Sequence, residues 1–234
     1  MKFEDLIYPI GVDEFHLKYK GKKHFYIKRK DNPFANHFSW EELDNYLNQI
    51  NIGSWDRTPQ LQVVLPDGKK WCKKKDKIKK TRTELWNLWN NGSSFILTLS
   101  EFLNETMWKQ CQEFEKHYGV GQANIYCSKQ EDAKCFPIHS DSTDNFLFHV
   151  SGKIRWYIYK EFSKGGGRKI GGYPASDATL EEVVDLDDGD LLYIPRGKFH
   201  RVDTLSPRIS ISFHFQERNE GNPYYRRNWY NWKP

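Results

Sequence analysis

The hydrophobic rhythm of the chain changes near residue 120. Before it, apolar positions recur at helical spacing; after it, they come in short β-rich runs bounded by Gly, Pro or Asp. In the first half, "FSWEELDNYLNQI" (38–50) opens on a capping box, with Ser39 as N-cap and Glu42 three residues later. Each of those side chains can satisfy an otherwise orphaned amide of the first turn. "TRTELWNLWNNG" predicts a second short helix that stops at Gly92. "TLSEFLNETMWKQCQEFEKHYG" predicts a third, with Phe102, Leu103, Met107 and Phe114 near helical spacing and a stop at Gly119. In the second half, "ANIYCS", "NFLFHV", "KIRWYIYK", "EEVVDL", "DLLYIP" and "RISISFHF" read as strands, joined in part by a hairpin turn at "VSGK" and a tight acidic turn at "LDDGD". "KGGGRKIGGYP" (164–174) precedes no helix, so it reads as a long flexible loop and not as a phosphate cradle. Helices followed by a succession of short strands predict a mainly β fold: an antiparallel barrel with a helical flank. No internal repeat or Pro/Ser linker divides the chain. It reads as one domain over 1–234: a helical leading region (1–120), a barrel core (121–216) and an aromatic-basic tail (217–234).

Composition narrows the setting. At 234 residues the chain can bury a sizeable core, and with 16% aromatic residues it has the bulk to fill one. Mean hydropathy is −0.83. No run of 18 apolar residues exists, which excludes a transmembrane helix, and the acids inside "MKFEDLIYPIGVDEF" do not suit a signal peptide. A soluble, cytoplasmic protein with no membrane partner is expected. Cys72, Cys111, Cys127 and Cys135 form no CxxC pair and read as reduced thiols. The net charge of +5 is concentrated in two blocks, "KYKGKKHFYIKRK" (18–30) and "KKWCKKKDKIKKTR" (69–82). Such blocks can steer a protein toward RNA, ribosomes or acidic proteins, or can be solvated lysine loops.

The candidate chemistry lies in "PIHSDSTDNF". In extended backbone, residues two apart point to one face, so His139 and Asp141 can present an imidazole and a carboxylate side by side. His200, in "GDLLYIPRGKFHRV", sits just past a strand and a Pro-Arg-Gly turn, where an antiparallel barrel can bring it alongside. Together the three form a two-histidine, one-carboxylate set that leaves metal positions open for a bidentate cosubstrate and O₂. The alternative roles are plain: Asp141 as a turn acceptor, His200 as a loop histidine. His149 and His214 lie inside strand runs and read as core or lining residues.

The surrounding words add specificity. "IYCSKQEDAKCFPIHSDSTDNFLFHVSGKIRWYIY" followed by "DDGDLLYIPRGKFHRVDTLSPRISISFHF" resembles the cupin-like JmjC oxygenases, and among them the ribosomal-oxygenase branch. Gly189, Asp190, Leu192, Tyr193, Pro195 and His200 fit that branch's G-D-x-L-Y-x-P-x-x-x-x-H element. The resemblance implies a double-stranded β-helix (jelly-roll, cupin-like) barrel, with Fe(II) on His139, Asp141 and His200 and 2-oxoglutarate as cosubstrate. It also implies a protein substrate, possibly ribosomal. Two positions depart from the family pattern. Ile154 stands fifteen residues after His139, where the family places a Lys or Arg for the distal carboxylate, and Phe136 stands where Thr or Ser is usual. Arg208 and Ser210 on the last strand offer a replacement anchor, since relatives of the prolyl-hydroxylase type carry an arginine there and its planar fork matches a carboxylate. Alternation places Arg208, Ser210 and Ser212 on one face, with Ser210 expected to donate to the carboxylate as well; Lys153 and Arg155 would turn the other way. Asn145, Asn124 and Tyr126 match residues near the cosubstrate in the same family, although each could equally serve strand packing. A non-catalytic cupin-like binding module, or an oxygenase of a small molecule or free amino acid, remains the alternative function.

Overall fold

Alternation along the strands decides the architecture. The computed structural model describes residues 1–48, 60–67, 70–72, 81–133, 135–163, 169–170, 173–174 and 177–216. The strands are β1 (Phe25–Ile27), β2 (Gln60–Val64), β3 (Lys70–Cys72), β4 (Ser94–Thr98), β5 (Val120–Ser128), β6 (Asp144–Ser151), β7 (Ile154–Phe162), β8 (Lys169–Ile170), β9 (Tyr173–Pro174), β10 (Leu180–Leu186), β11 (Leu191–Ile194), β12 (Lys198–Thr204) and β13 (Arg208–Gln216). Among the described residues, eight of them form one antiparallel sheet in the order β1-β11-β6-β13-β5-β4-β2-β3. A second sheet, β10-β7-β12, packs across from it. Leu147, Leu192 and Ile194 of the large sheet meet Ile154, Trp156, Ile158, Val184 and Leu186 of the small one, closing the jelly-roll barrel.

The large sheet is buried on both sides, and its two faces differ in chemistry. On the outer face Ile125, Phe146, Phe148, Tyr193, Ile211, Phe213 and Phe215 share one core with Phe3, Phe15, Leu47 and Phe114. Those last four come from α1 (Phe3–Ile7), from a π-turn (Phe15–Tyr19) that continues the short α2 (Val12–Glu14), from α3 (Trp40–Leu47), and from α5 (Glu105–Glu115), which follows α4 (Arg82–Asn90). Removing one such phenylalanine would cost about 3–5 kcal/mol in lost transfer energy and cavity. One residue along each strand, the inner face carries Asn124, Tyr126, Asn145, His149, Arg208, Ser210, Ser212 and His214. A barrel lined with that many polar groups must satisfy them by mutual hydrogen bonds or by a ligand.

The predicted capping box of α3 is present: Glu42 N donates to Ser39 Oγ at 3.1 Å and Ser39 N to Glu42 Oε2 at 2.8 Å. The third predicted helix is not continuous. β4 ends at Thr98, Leu99 takes a left-handed φ of 61°, and α5 starts after Asn104, whose side chain accepts from Met107 N at 2.9 Å. The leading region therefore holds β1 to β4 beside its helices. Short apolar runs such as "SFILT" are compatible with helix or strand, and pairing to β5 settles them as strand. Within 164–174 the structure adds a short antiparallel pair, β8 with β9, to what the composition reads as a loop. Residues 69 and 73–80 of the second basic block and all of the tail, 217–234, lie outside the described residues.

Candidate metal centre and ligand pocket

Backbone pairing assembles the metal end. His139 N donates to His200 O at 3.1 Å and His200 N to His139 O at 2.8 Å, an isolated antiparallel bridge that lays the H-x-D segment beside β12. Gly197 N adds a bond to Asp141 O at 2.7 Å. Gly197 has φ +79°, and a Cβ there would meet Ser163 O at 2.3 Å, so the turn leading to His200 requires glycine. The consequence is a compact cluster. His139 Nε2 lies 3.9 Å and His200 Nε2 3.7 Å from the carboxylate of Asp141, and one ligand atom from each of the three residues falls within 4.8 Å of the other two.

The donor set fits a divalent first-row metal. Both Nδ1 atoms face carbonyls, His139 to Pro137 O at 2.9 Å and His200 to Lys198 O at 3.0 Å. A carbonyl only accepts, so each Nδ1 carries a proton, which leaves each Nε2 as the atom available to a metal. Burial, with His139 adding to it, pushes His200 below the usual histidine range and favours its neutral, ligating form. Burial alone would raise Asp141; the nearby His200, His139 and His214 and the bond from Asn145 outweigh it and hold the carboxyl low. A carboxylate and two imidazoles on one side of a pocket form the two-His-one-carboxylate facial set.

A directed chain supports Asp141 from behind. Asn145 Nδ2 donates to Asp141 Oδ2 at 2.8 Å, which leaves Asn145 Oδ1 to accept from Thr143 Oγ1 at 3.2 Å. The Thr143 proton is thereby committed, so His214 Nδ1 donates to Thr143 Oγ1 at 3.3 Å. His214, pushed down by burial, is neutral, and its Nε2 accepts from Asn124 Nδ2 at 3.1 Å. Asn145 thus holds Asp141 directly and also lines the pocket, whereas Asn124 is absent from the lining and reaches Asp141 only through His214, Thr143 and Asn145; Asn124 Oδ1 is buried with no partner among the described residues.

The opposite end of the pocket holds Arg208, only 4% exposed. Its guanidinium contacts Ser210 Oγ at 3.2 Å and Cys135 Sγ at 3.3 Å, and its Nε has no partner. Among the described residues it has no carboxylate partner. Tyr126 lines the same pocket, and burial pushes its phenol up, keeping it a donor. Ser210 is placed otherwise than expected: it is fully buried, is absent from the pocket lining, and lies 3.0 Å from His149 Nδ1. Ser212, by contrast, does face the pocket. Ile154 is fully buried in the apolar core between the sheets. Arg155 faces out, paired with both carboxylate oxygens of Asp185 at 2.7 Å, and Lys153 lies 3.3 Å from Asp187. Phe136, Leu147, Trp156, Ile194 and Val202 supply apolar walls. The Trp156 ring lies 5.3 Å from that of His200, with its indole N–H buried and unpartnered. Thr143, Cys135 and Trp156 were not singled out from sequence; the alternation running back from Asn145 to Thr143 was the available signal for one of them.

A double-stranded β-helix with this cluster in its cavity belongs to the cupin-like class of metal-binding barrels. More narrowly, the JmjC domain model matches residues 98–222, over half of the chain, and the chain belongs to the JmjC-domain family. It is 30% identical over 225 residues to the bifunctional lysine-specific demethylase and histidyl-hydroxylase NO66 of Dictyostelium discoideum, covering 89% of this chain and 41% of that protein. It is 27% identical over 134 residues to ribosomal oxygenase 1 of Gallus gallus, covering 54% and 22%. The chain thus spans well under half the length of these relatives. Its fold matches that of YcfD, a ribosomal oxygenase from Escherichia coli solved in complex with cobalt and 2-oxoglutarate, with a TM-score of 0.61 and 19% identity over 89% of this chain and 52% of that one.

Proposed function

We propose that the protein is an Fe(II)- and 2-oxoglutarate-dependent oxygenase that hydroxylates a side chain of a protein substrate. The carrying observation is the presence, in one pocket, of the His139–Asp141–His200 cluster and a buried arginine with no carboxylate partner among the described residues. A dicarboxylate ligand joins two such ends: one end chelates the metal, the other pairs with Arg208. When bound, iron and the keto acid would let O₂ serve as oxidant, one oxygen atom going to succinate as CO₂ leaves and the other to a C–OH group on the substrate. The chain's own residues hold the ligands. Asn145 orients Asp141, Arg208 and Tyr126 receive the distal carboxylate, and the apolar walls exclude water. No protein acid or base is required.

The ribosomal oxygenases among the relatives point to a ribosomal protein as substrate. The first basic block offers modest support for RNA or ribosome proximity, because much of it is engaged within the molecule. Lys28 pairs with Asp187 and Asp190, Lys18 with Glu14, Lys20 sits over the Tyr118 ring, and Arg29 donates to Leu6 O. No helix among the described residues is long and apolar enough to cross a membrane; a cytoplasmic setting is part of the same reading. So is the treatment of the helices and the barrel as one unit, which their shared core supports. The test is Fe(II)-dependent conversion of 2-oxoglutarate to succinate, coupled to gain of an oxygen atom by ribosomal proteins in a mass spectrum. Turnover coupled to a free amino acid would move the substrate class, and no iron-dependent turnover with any of these would leave a binding module.

A further inference from the structure

Resting on the keto-acid reading above, we infer that His149 and Ser210 are positioning residues that hold Arg208 in its ligand-binding orientation through a hydrogen-bond chain of fixed direction. The chain begins at Gly152 O, which can only accept, so His149 Nε2, 2.8 Å away, is the donor. His149 is fully buried, and burial keeps it from taking a second proton. Its Nδ1 therefore carries a lone pair, and Ser210 Oγ, 3.0 Å away, donates to it. That commits the single hydroxyl proton. Ser210 then offers only lone pairs to Arg208, and Nη1 donates to them at 3.2 Å.

Three consequences follow from that direction. Ser210 cannot also donate to a ligand carboxylate. Arg208 is held by a neutral acceptor, so its charge is not cancelled; a fixed aspartate in place of Ser210 would compete with the ligand. The chain also ends on a turn that packs against the strand it serves. Gly152 has φ +90°, and a Cβ there would meet Pro207 O at 2.0 Å, immediately before Arg208. Gly152 N is itself held by Asp188 Oδ1 at 2.7 Å. The hairpin turn, His149, Ser210 and the start of β13 thus form one support that fixes the guanidinium before the ligand arrives, which lowers the entropy lost on binding.

The experiment is titration of 2-oxoglutarate into the full chain loaded anaerobically with Fe(II), with iron affinity measured in parallel. Ser210→Ala and His149→Leu should each weaken keto-acid binding about tenfold, the scale of one hydrogen bond to a charged group, while iron affinity holds. His149→Asn, whose amide oxygen can accept from Ser210 in place of Nδ1, should recover most of the loss. If His149→Leu does not fold, Ser210→Ala carries the test. Unchanged keto-acid affinity in Ser210→Ala, or equal loss of iron and keto-acid affinity, would overturn the positioning role. Full affinity in Arg208→Ala would instead overturn the anchor reading itself, which separates the two failures.

Discussion

At one end of the pocket sits an anion, Asp141, and at the other a buried cation, Arg208. Each charge is held by uncharged groups arranged in a directed chain: Asn145, Thr143, His214 and Asn124 behind Asp141, and Ser210, His149 and the Gly152 carbonyl behind Arg208. Neither end uses an opposite charge from a Lys, Arg, Asp or Glu among the described residues. The difference is in what each charge is prepared to receive. The metal end adds two imidazoles and offers three ligand atoms, whereas the anchor end leaves Arg208 Nε without a partner among the described residues. Neutral support keeps both charges available, and a desolvated charge that is available binds its counterpart strongly.

The comparison breaks first at the metal end. His200→Ala should weaken Fe(II) binding by about a hundredfold or more, beyond what loss of a supporting group costs, as read by anaerobic titration. The anchor end has a pH signature in stability. His149 is held down at about 4, chiefly by burial, against an ordinary value of 6.5; Gly152 O opposes that shift and Arg208 adds to it. The unfolded chain takes up that proton first. The His149 contribution to stability is therefore full above pH 6.5 and drains as pH falls toward 4, by up to about 3 kcal/mol. Urea unfolding at pH 7 and pH 5 should show the loss, and His149→Asn should make it smaller, leaving the share that His200 and His214, also pushed down by burial, contribute. Asn145→Ala should weaken iron binding about tenfold through misorientation of Asp141, with a smaller effect on the keto acid. Arg155→Ala should change neither affinity measurably, because that side chain faces away from the pocket and pairs with Asp185; a loss of keto-acid affinity would move the anchor onto β7.

The two ends were not equally legible in the sequence. The metal end is written locally: H-x-D spacing, a turn glycine and a histidine after it, which pairing of two short segments brings together. The inner-face register of Arg208, Ser210 and Ser212 also follows from alternation. The role of Ser210 does not, because the direction of its hydroxyl is set by a histidine 61 residues away whose own proton is fixed by a turn carbonyl. Asn124 shows the same limit: its alternation with Tyr126 is visible, but its partner His214 lies 90 residues on. In the leading region, the alternation of β2 covers only Gln60–Val63 and β4 is a short run buried throughout Ser94–Leu97 with no period, so pairing with each other and of β4 with β5 is what makes them strands.

Titration of 2-oxoglutarate into Fe(II)-loaded Arg208→Ala tests the two-ended pocket most directly. The expected result is iron affinity equal to that of the unaltered chain and keto-acid affinity lower by about a hundredfold or more, with Arg208→Lys between the two because it keeps the charge but loses the fork. Undiminished keto-acid binding by Arg208→Ala would contradict the account.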